Sequence, residues 1–207
     1  MSELGGKRTL TDLLPKLLTS GGEKPGVGMS DFEYLFSFYG LLLGLAVANV
    51  ATGFADMWRE RQAIPVGVCV PLLAVIVLLG GMNVWLSHWN AREVVAVDAW
   101  RMLSAAGVAL PYVFISRAMF PSGDQKQPLD DHYLAHRRVV LWALSVPPIV
   151  SAVSNLLLNH GSYDLWGGLW MTLRIVSPML LIPFSSARTH RIGLTAIIFL
   201  LVIGLFR

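Results

Sequence analysis

Apolar residues run almost unbroken through six stretches of the chain, about 33–56, 64–88, 95–118, 138–158, 165–184 and 190–206. Short polar segments separate them. A helix of about 20 apolar residues matches the roughly 30 Å hydrocarbon thickness of a bilayer. The pattern predicts an all-α fold: a polytopic integral membrane protein built as a bundle of six transmembrane helices. The last stretch, seventeen residues long, is the shortest. Two parts follow, a tail over 1–28 and a six-helix transmembrane domain over 29–207.

Within the tail, Leu10, Leu13, Leu14, Leu17 and Leu18 keep the i, i+3, i+4, i+7, i+8 rhythm of a helix with one apolar face. Pro15 interrupts it, so the alternatives are a short amphipathic helix lying at the interface and a loosely ordered tail. No apolar h-region with a small-residue cleavage site precedes the first stretch, so that stretch itself is expected to direct insertion. Prolines stand inside four stretches, as Pro71, Pro111, Pro147 with Pro148, and Pro178. Membrane helices accept them where neighbours satisfy the freed carbonyls.

Composition supports the same reading. Of 207 residues, 55% are hydrophobic and 14% charged, against about 25% charged in soluble domains. The net charge of +3 is small and its basic residues are dispersed between apolar runs, which argues against nucleic-acid binding. Lys and Arg are distributed unevenly over the loops. Arg59, Arg61, Arg117, Lys126, Arg137, Arg138, Arg188 and Arg191 flank the loops after the first, third and fifth stretches. The positive-inside rule then places those loops in the cytoplasm, in a cell or inner membrane. Trp85, Trp89, Trp100, Trp166 and Trp170 gather near the opposite ends, where an interfacial aromatic belt is expected.

Against this apolar background a few polar residues stand out. Arg174 is the sole charge in 165–184. A charge at mid-membrane costs roughly 2.5–3.5 kcal/mol on insertion scales, so it is expected to face protein or a cavity. Candidate partners are Asp98, Glu33 and Asp56. The rival reading of Asp98 is a pair with Arg101, and of Asp56 a pair with Arg59, each three residues on. Arg174 shares a helix face with Gly167, Trp170, Ser177 and Pro178. Ser145, Pro148, Ser151 and Asn155 form a second polar stripe, and Asn83, Ser87 and His88 a third. These stripes either line a polar cavity or act as hydrogen-bonded glue between helices.

Gly40, Gly44 and Ala48, continued by Thr52, form a small-residue stripe expected to serve internal helix packing, with a homo-oligomer contact as the alternative. Asn49 and Asp56 lie on a neighbouring face. His132 and His136 are four apart, a spacing that suits a metal with Asp131, and the spacing resembles one histidine box of the membrane di-iron oxidases. Those enzymes need several boxes. With five histidines and no second box, the chain is not expected to bind a metal there. Asp130 or Asp131 is expected to cap the helix that becomes the fourth span. No Walker loop, H-E-x-x-H or G-x-S-x-G occurs, so no soluble-type active site and no cofactor are expected. The functional expectation is a small-solute or ion transporter or channel-like protein in the lipid bilayer. The alternatives are a non-transporting assembly subunit and, more remotely, a haem or metal redox protein.

Overall fold

In a computed structural model, the described residues are 31–60, 65, 67–90, 98–121, 128–158 and 164–206. The tail reading for 1–28 falls outside them, as do Arg61, Arg92 and Lys126. Six helices make up the described chain: α1 (Asp31–Glu60), α2 (Cys69–Asn90), α3 (Ala99–Ala118), α4 (Leu129–Leu158), α5 (Leu165–Leu181) and α6 (Ala187–Leu205). No strand occurs among the described residues. Five helices are long and apolar enough to cross a membrane; α5, with 17 residues, is a shorter apolar helix.

The boundaries have local causes. Asp98 is extended and its carboxylate accepts the Arg101 amide N–H at 2.7 Å, so α3 starts at Ala99 rather than 95. Asp164 does the same for α5 through the Gly167 amide at 3.0 Å. α4 begins at Leu129, nine residues before the apolar run, because Leu129, His132 and Tyr133 are buried against the bundle.

Contacts fix the direction of each helix. Phe32 and Phe36, at the start of α1, pack on Trp85 and Trp89 at the end of α2, with Phe36 and Trp85 ring centroids 4.8 Å apart. At the other end, Phe54 of α1 meets Phe120 beyond α3 at 5.7 Å. Successive helices therefore alternate in direction. Arg59, Arg117, Arg137, Arg138, Arg188 and Arg191 fall at one end, here called the basic end. Asp98, Asp164 and most of the tryptophans fall at the other.

α2 is the central element. It is apolar on every side, as a helix surrounded by others must be, and it packs on α1, α3, α4 and α6. Around it the remaining helices follow in the order α1, α3, α4, α5, α6. Outward faces carry Leu41, Leu103, Leu110, Leu180, Ile192 and Phe199, an apolar perimeter that suits lipid.

The N-terminus of α2 is closed from another helix. Asp130 of α4 accepts the Cys69 amide at 2.9 Å and the Val68 amide at 3.3 Å. Its Oδ2 also takes the Arg191 guanidinium of α6 at 2.9 Å. The capping expectation for Asp130 is thus corrected: it caps α2 in trans, not its own helix. Gly67 makes this geometry accessible, since a Cβ there would occupy the space of the Asp130 carboxylate. Nearby, the buried His190 bridges α4 and α6. Its Nε2–H donates to the Phe184 carbonyl at 3.0 Å, which leaves Nδ1 to accept the Tyr133 hydroxyl at 2.9 Å.

Removing Asp130 strands two amides and a guanidinium at once. Asp130→Ala should cost about 2 kcal/mol, the middle of the range for a donor left unsatisfied, with the part-buried Cys69 amide losing most. Arg191→Ala should cost less, because the Arg191 side chain is 45% exposed and that of Asp130 only 13%. Unfolding in detergent checks the order of the two midpoints, and equal losses would contradict it.

Candidate functional site

The polar residues singled out above divide into two groups. Some join helices. Asn83, buried on α2, donates to the Leu79 carbonyl of its own helix and to the Leu201 carbonyl of α6, both at 3.1 Å. Asn49 of α1 donates to the Ser116 hydroxyl of α3 at 3.1 Å, and Ser116 passes its own proton to the Val113 carbonyl at 2.8 Å. Ser145 bonds back to the Leu141 carbonyl, a local satisfaction within α4. His88 likewise donates Nδ1–H to the Val84 carbonyl, with its ring 4.1 Å from that of Tyr39.

The second group surrounds a cavity. Its volume is about 20 Å³ and its walls come from five helices: Ile76 of α2, Tyr112 of α3, Leu144 and Pro148 of α4, Arg174, Ser177 and Pro178 of α5, and Ile197, Leu200 and Leu201 of α6. Arg174 enters it from nine residues inside α5, roughly 13 Å from the helix start at 1.5 Å per residue. The inner face of α5 places it there: Gly167, Trp170, Arg174, Ser177 and Pro178 are all partly or fully buried, while Leu169, Leu173, Val176 and Leu180 are exposed. Tyr112 shares the cavity wall with Arg174.

Two prolines add polarity. Pro148 and Pro178 carry no N–H, so the carbonyls of Leu144 and Arg174 lack their i+4 donors. Both of those residues line the cavity. A space of about 20 Å³ exceeds the 10–15 Å³ that one water needs.

None of the three expected carboxylates meets Arg174. Asp98 is engaged at the start of α3, capping Arg101 and lying 4.0 Å from its Nε. Asp56 sits 3.8 Å from Arg59 at the basic end, with both side chains more than 60% exposed. Glu33 is exposed in the first turn of α1, a helix that does not pack closely on α5. Among the described residues, no hydrogen bond or ion pair holds the Arg174 guanidinium. Asn155 is partly buried one turn beyond Ser151 on α4.

The expectation of internal packing for the small-residue stripe is corrected. Gly40, Gly44, Ala48 and Thr52 are all exposed, and nothing lies within 4 Å of a Cβ built at either glycine. α1 instead presents Leu35, Tyr39, Leu43, Ala46 and Val50 to the bundle, because large apolar side chains bury more area than a glycine face.

His132 and His136 stack with centroids 4.6 Å apart, but their N–H groups go to carbonyls: His132 Nε2 to Ala118 at 3.2 Å and His136 Nδ1 to His132 at 3.0 Å. No group of three or more His, Cys, Asp or Glu side chains able to hold a metal occurs among the described residues. Tyr112 escaped the reading of the sequence. Its signal was indirect: Gly80, on the facing helix, is where a Cβ would lie 2.7 Å from the Tyr112 hydroxyl oxygen.

The helices and their polar interior thus have the make-up of a multi-pass membrane protein. No known protein family, characterised protein or solved structure matches the chain.

Gly80→Ala should displace Tyr112 and destabilise the bundle by about 1–3 kcal/mol, the range for overpacking. Gly81→Ala serves as the control, because its Cβ would meet only Leu43 at an ordinary 3.5 Å. Thermal unfolding of both variants in the same detergent separates them. A similar loss in each would show that the Tyr112 contact does not govern the site, since helix propensity and backbone entropy favour Ala over Gly at both positions.

Proposed function

We propose that the chain is a six-span membrane protein that passes a small solute or ion through its helix bundle, as a transporter or channel-like protein does. The observation that carries the reading is the cavity between five helices, with Arg174 on its wall and no hydrogen bond or ion pair to its guanidinium among the described residues. Intramembrane ionisable residues facing an interior cavity mark solute and ion routes more often than they mark structure.

Six spans are favoured by the directions of the helices. α2, α4 and α6 all start at the basic end, where Asp130 joins them. The chain must therefore return between the end of α4 and the start of α6, and α5 is the described segment that does so. Its 17 residues reach roughly 25 Å, a few ångströms under the core thickness, a mismatch that local bilayer thinning accommodates. The basic end faces the cytoplasm in this reading, in keeping with its six described arginines.

Liposomes containing the purified protein test the proposal. Potassium, chloride and glycerol fluxes should include at least one that exceeds protein-free liposomes. Ser177→Leu, which fills the cavity, should reduce it at least tenfold, and Val176→Leu, on the exposed face of the same helix, should not. Folded protein that moves none of the three would refute the reading.

The alternative, an assembly subunit, is favoured by one observation: the bare stripe of Gly40, Gly44 and Ala48 on α1. Such stripes let a second helix approach closely. Under that reading Gly44→Leu should leave the thermal midpoint unchanged, since nothing in the same chain meets it, while a cross-linked dimer band is lost. A wild-type protein that yields no cross-linked species removes the alternative.

A further inference from the structure

The residues around the cavity carry one sign of charge. Arg174 supplies a full positive charge with five donors, Tyr112 and Ser177 supply hydroxyls, and every other lining side chain is aliphatic or proline. No carboxylate and no imidazole is among them. An arginine in such surroundings has three ways to avoid an uncompensated charge: a protein carboxylate, water, or a mobile anion. The first is absent among the described residues. The second gives only partial relief in a space of about 20 Å³, which holds one or two waters.

We infer that the cavity binds a small monovalent inorganic anion, of the size of chloride or nitrate, with the Arg174 guanidinium as its counter-charge and the Tyr112 and Ser177 hydroxyls as neutral donors. This inference rests on the reading of the bundle as a solute route and names the solute. Three features set the class. The single positive charge matches a single negative one, so a divalent anion such as sulfate would leave excess charge in a low-dielectric interior. The volume of about 20 Å³ suits an ion no larger than chloride or nitrate and excludes an organic acid with a carbon chain. The lack of any carboxylate on the walls leaves cations without a counter-charge.

The two freed carbonyls refine the picture. Those of Leu144 and Arg174 accept hydrogen bonds and repel an anion. They suit a water molecule or a guanidinium N–H, and the donors left for an anion are Arg174, Tyr112 and Ser177. Gly80 bears on specificity as well. By admitting the Tyr112 ring against α2, it brings a neutral donor into a wall that is otherwise aliphatic.

The test combines flux with binding. In liposomes, chloride and nitrate fluxes should exceed potassium, sulfate and glycerol fluxes at least tenfold. Arg174→Gln should lower the anion flux at least tenfold, and Arg174→Lys should retain part of it, because a positive charge remains without the planar fork. In detergent, the chloride-35 resonance should broaden with added wild-type protein and be sharpened again by nitrate. Broadening should vanish in Arg174→Gln and persist in Arg191→Gln, whose guanidinium lies at the basic end. If Arg174→Gln does not fold, Tyr112→Phe provides the second variant, with a several-fold weaker chloride affinity expected. Potassium or glycerol flux with silent chloride and nitrate would overturn the anion assignment and leave the solute route standing. Absence of flux for every solute, with nitrate-sensitive broadening that needs Arg174, would keep the site and overturn the route. Broadening that survives Arg174→Gln overturns the site itself.

Discussion

The Asp130 carboxylate governs the basic end of the bundle. A helix that starts inside a membrane protein leaves its first amides without partners, and lipid offers none. α2 has no side-chain cap of its own near Cys69, and Asp130 provides one from α4. The negative charge at the positive end of the α2 dipole is itself favourable. The same carboxylate then holds Arg191, so three parallel helices are tied through two oxygens. A shift in α4 would uncover the α2 amides, and a shift in α6 would take the arginine counter-charge away from the carboxylate. His190 and Tyr133 lie just inside this clasp and extend it by one layer.

The cavity exists between two such ties. Asn83 joins α2 to α6 toward the far end, and Asp130 joins them at the basic end. Between these points the walls are set by Ile76, Ile197 and Leu201, which cannot close the space without moving helices that are pinned on both sides. Pro148 and Pro178 face the same gap from α4 and α5. Proline prevents the tight continuous ladder that would let those helices pack more closely there. The void thus follows from positions where the backbone is held and positions where it lacks bonds, not from any single small residue.

Much of this was legible in the sequence, and what was not has specific causes. The six apolar runs mark six helices because run length and bilayer-scale burial share one origin, the exclusion of water. The face of α5 followed from helical periodicity alone, so the position of Arg174 beside Ser177 and Pro178 could be read directly. The partner list for Arg174 could not. The local pairs of Asp98 with Arg101 and of Asp56 with Arg59 followed from their three-residue spacing, which leaves neither carboxylate for Arg174. For Asp130 a local cap was expected, and a bond spanning 61 residues won. No spacing rule reports that, because it depends on which helices start at the same depth. The glycine stripe on α1 failed for a related reason. Small residues permit close approach but do not cause it, and α1 buries its tyrosine and leucines instead.

Arg174 and Arg191 make the decisive contrast. Both are arginines on helices that meet in the bundle, yet one has a carboxylate at 2.9 Å and the other has none among the described residues. Arg191 sits at the basic end, half exposed, where water could have served it; there the pairing matters for the α2 amides more than for the arginine. Arg174 lies partly buried in the middle of α5, and there the side chains that share its cavity wall supply only hydroxyls and aliphatic groups. A structural role would favour the reverse distribution, with the buried cation paired and the exposed one free. A built-in carboxylate beside Arg174 would also compete directly with any anion entering the cavity, since the two would share one positive charge. The absence of that carboxylate among the described residues, in a bundle with a well-formed ion pair elsewhere, is the observation on which the proposed ligand site rests.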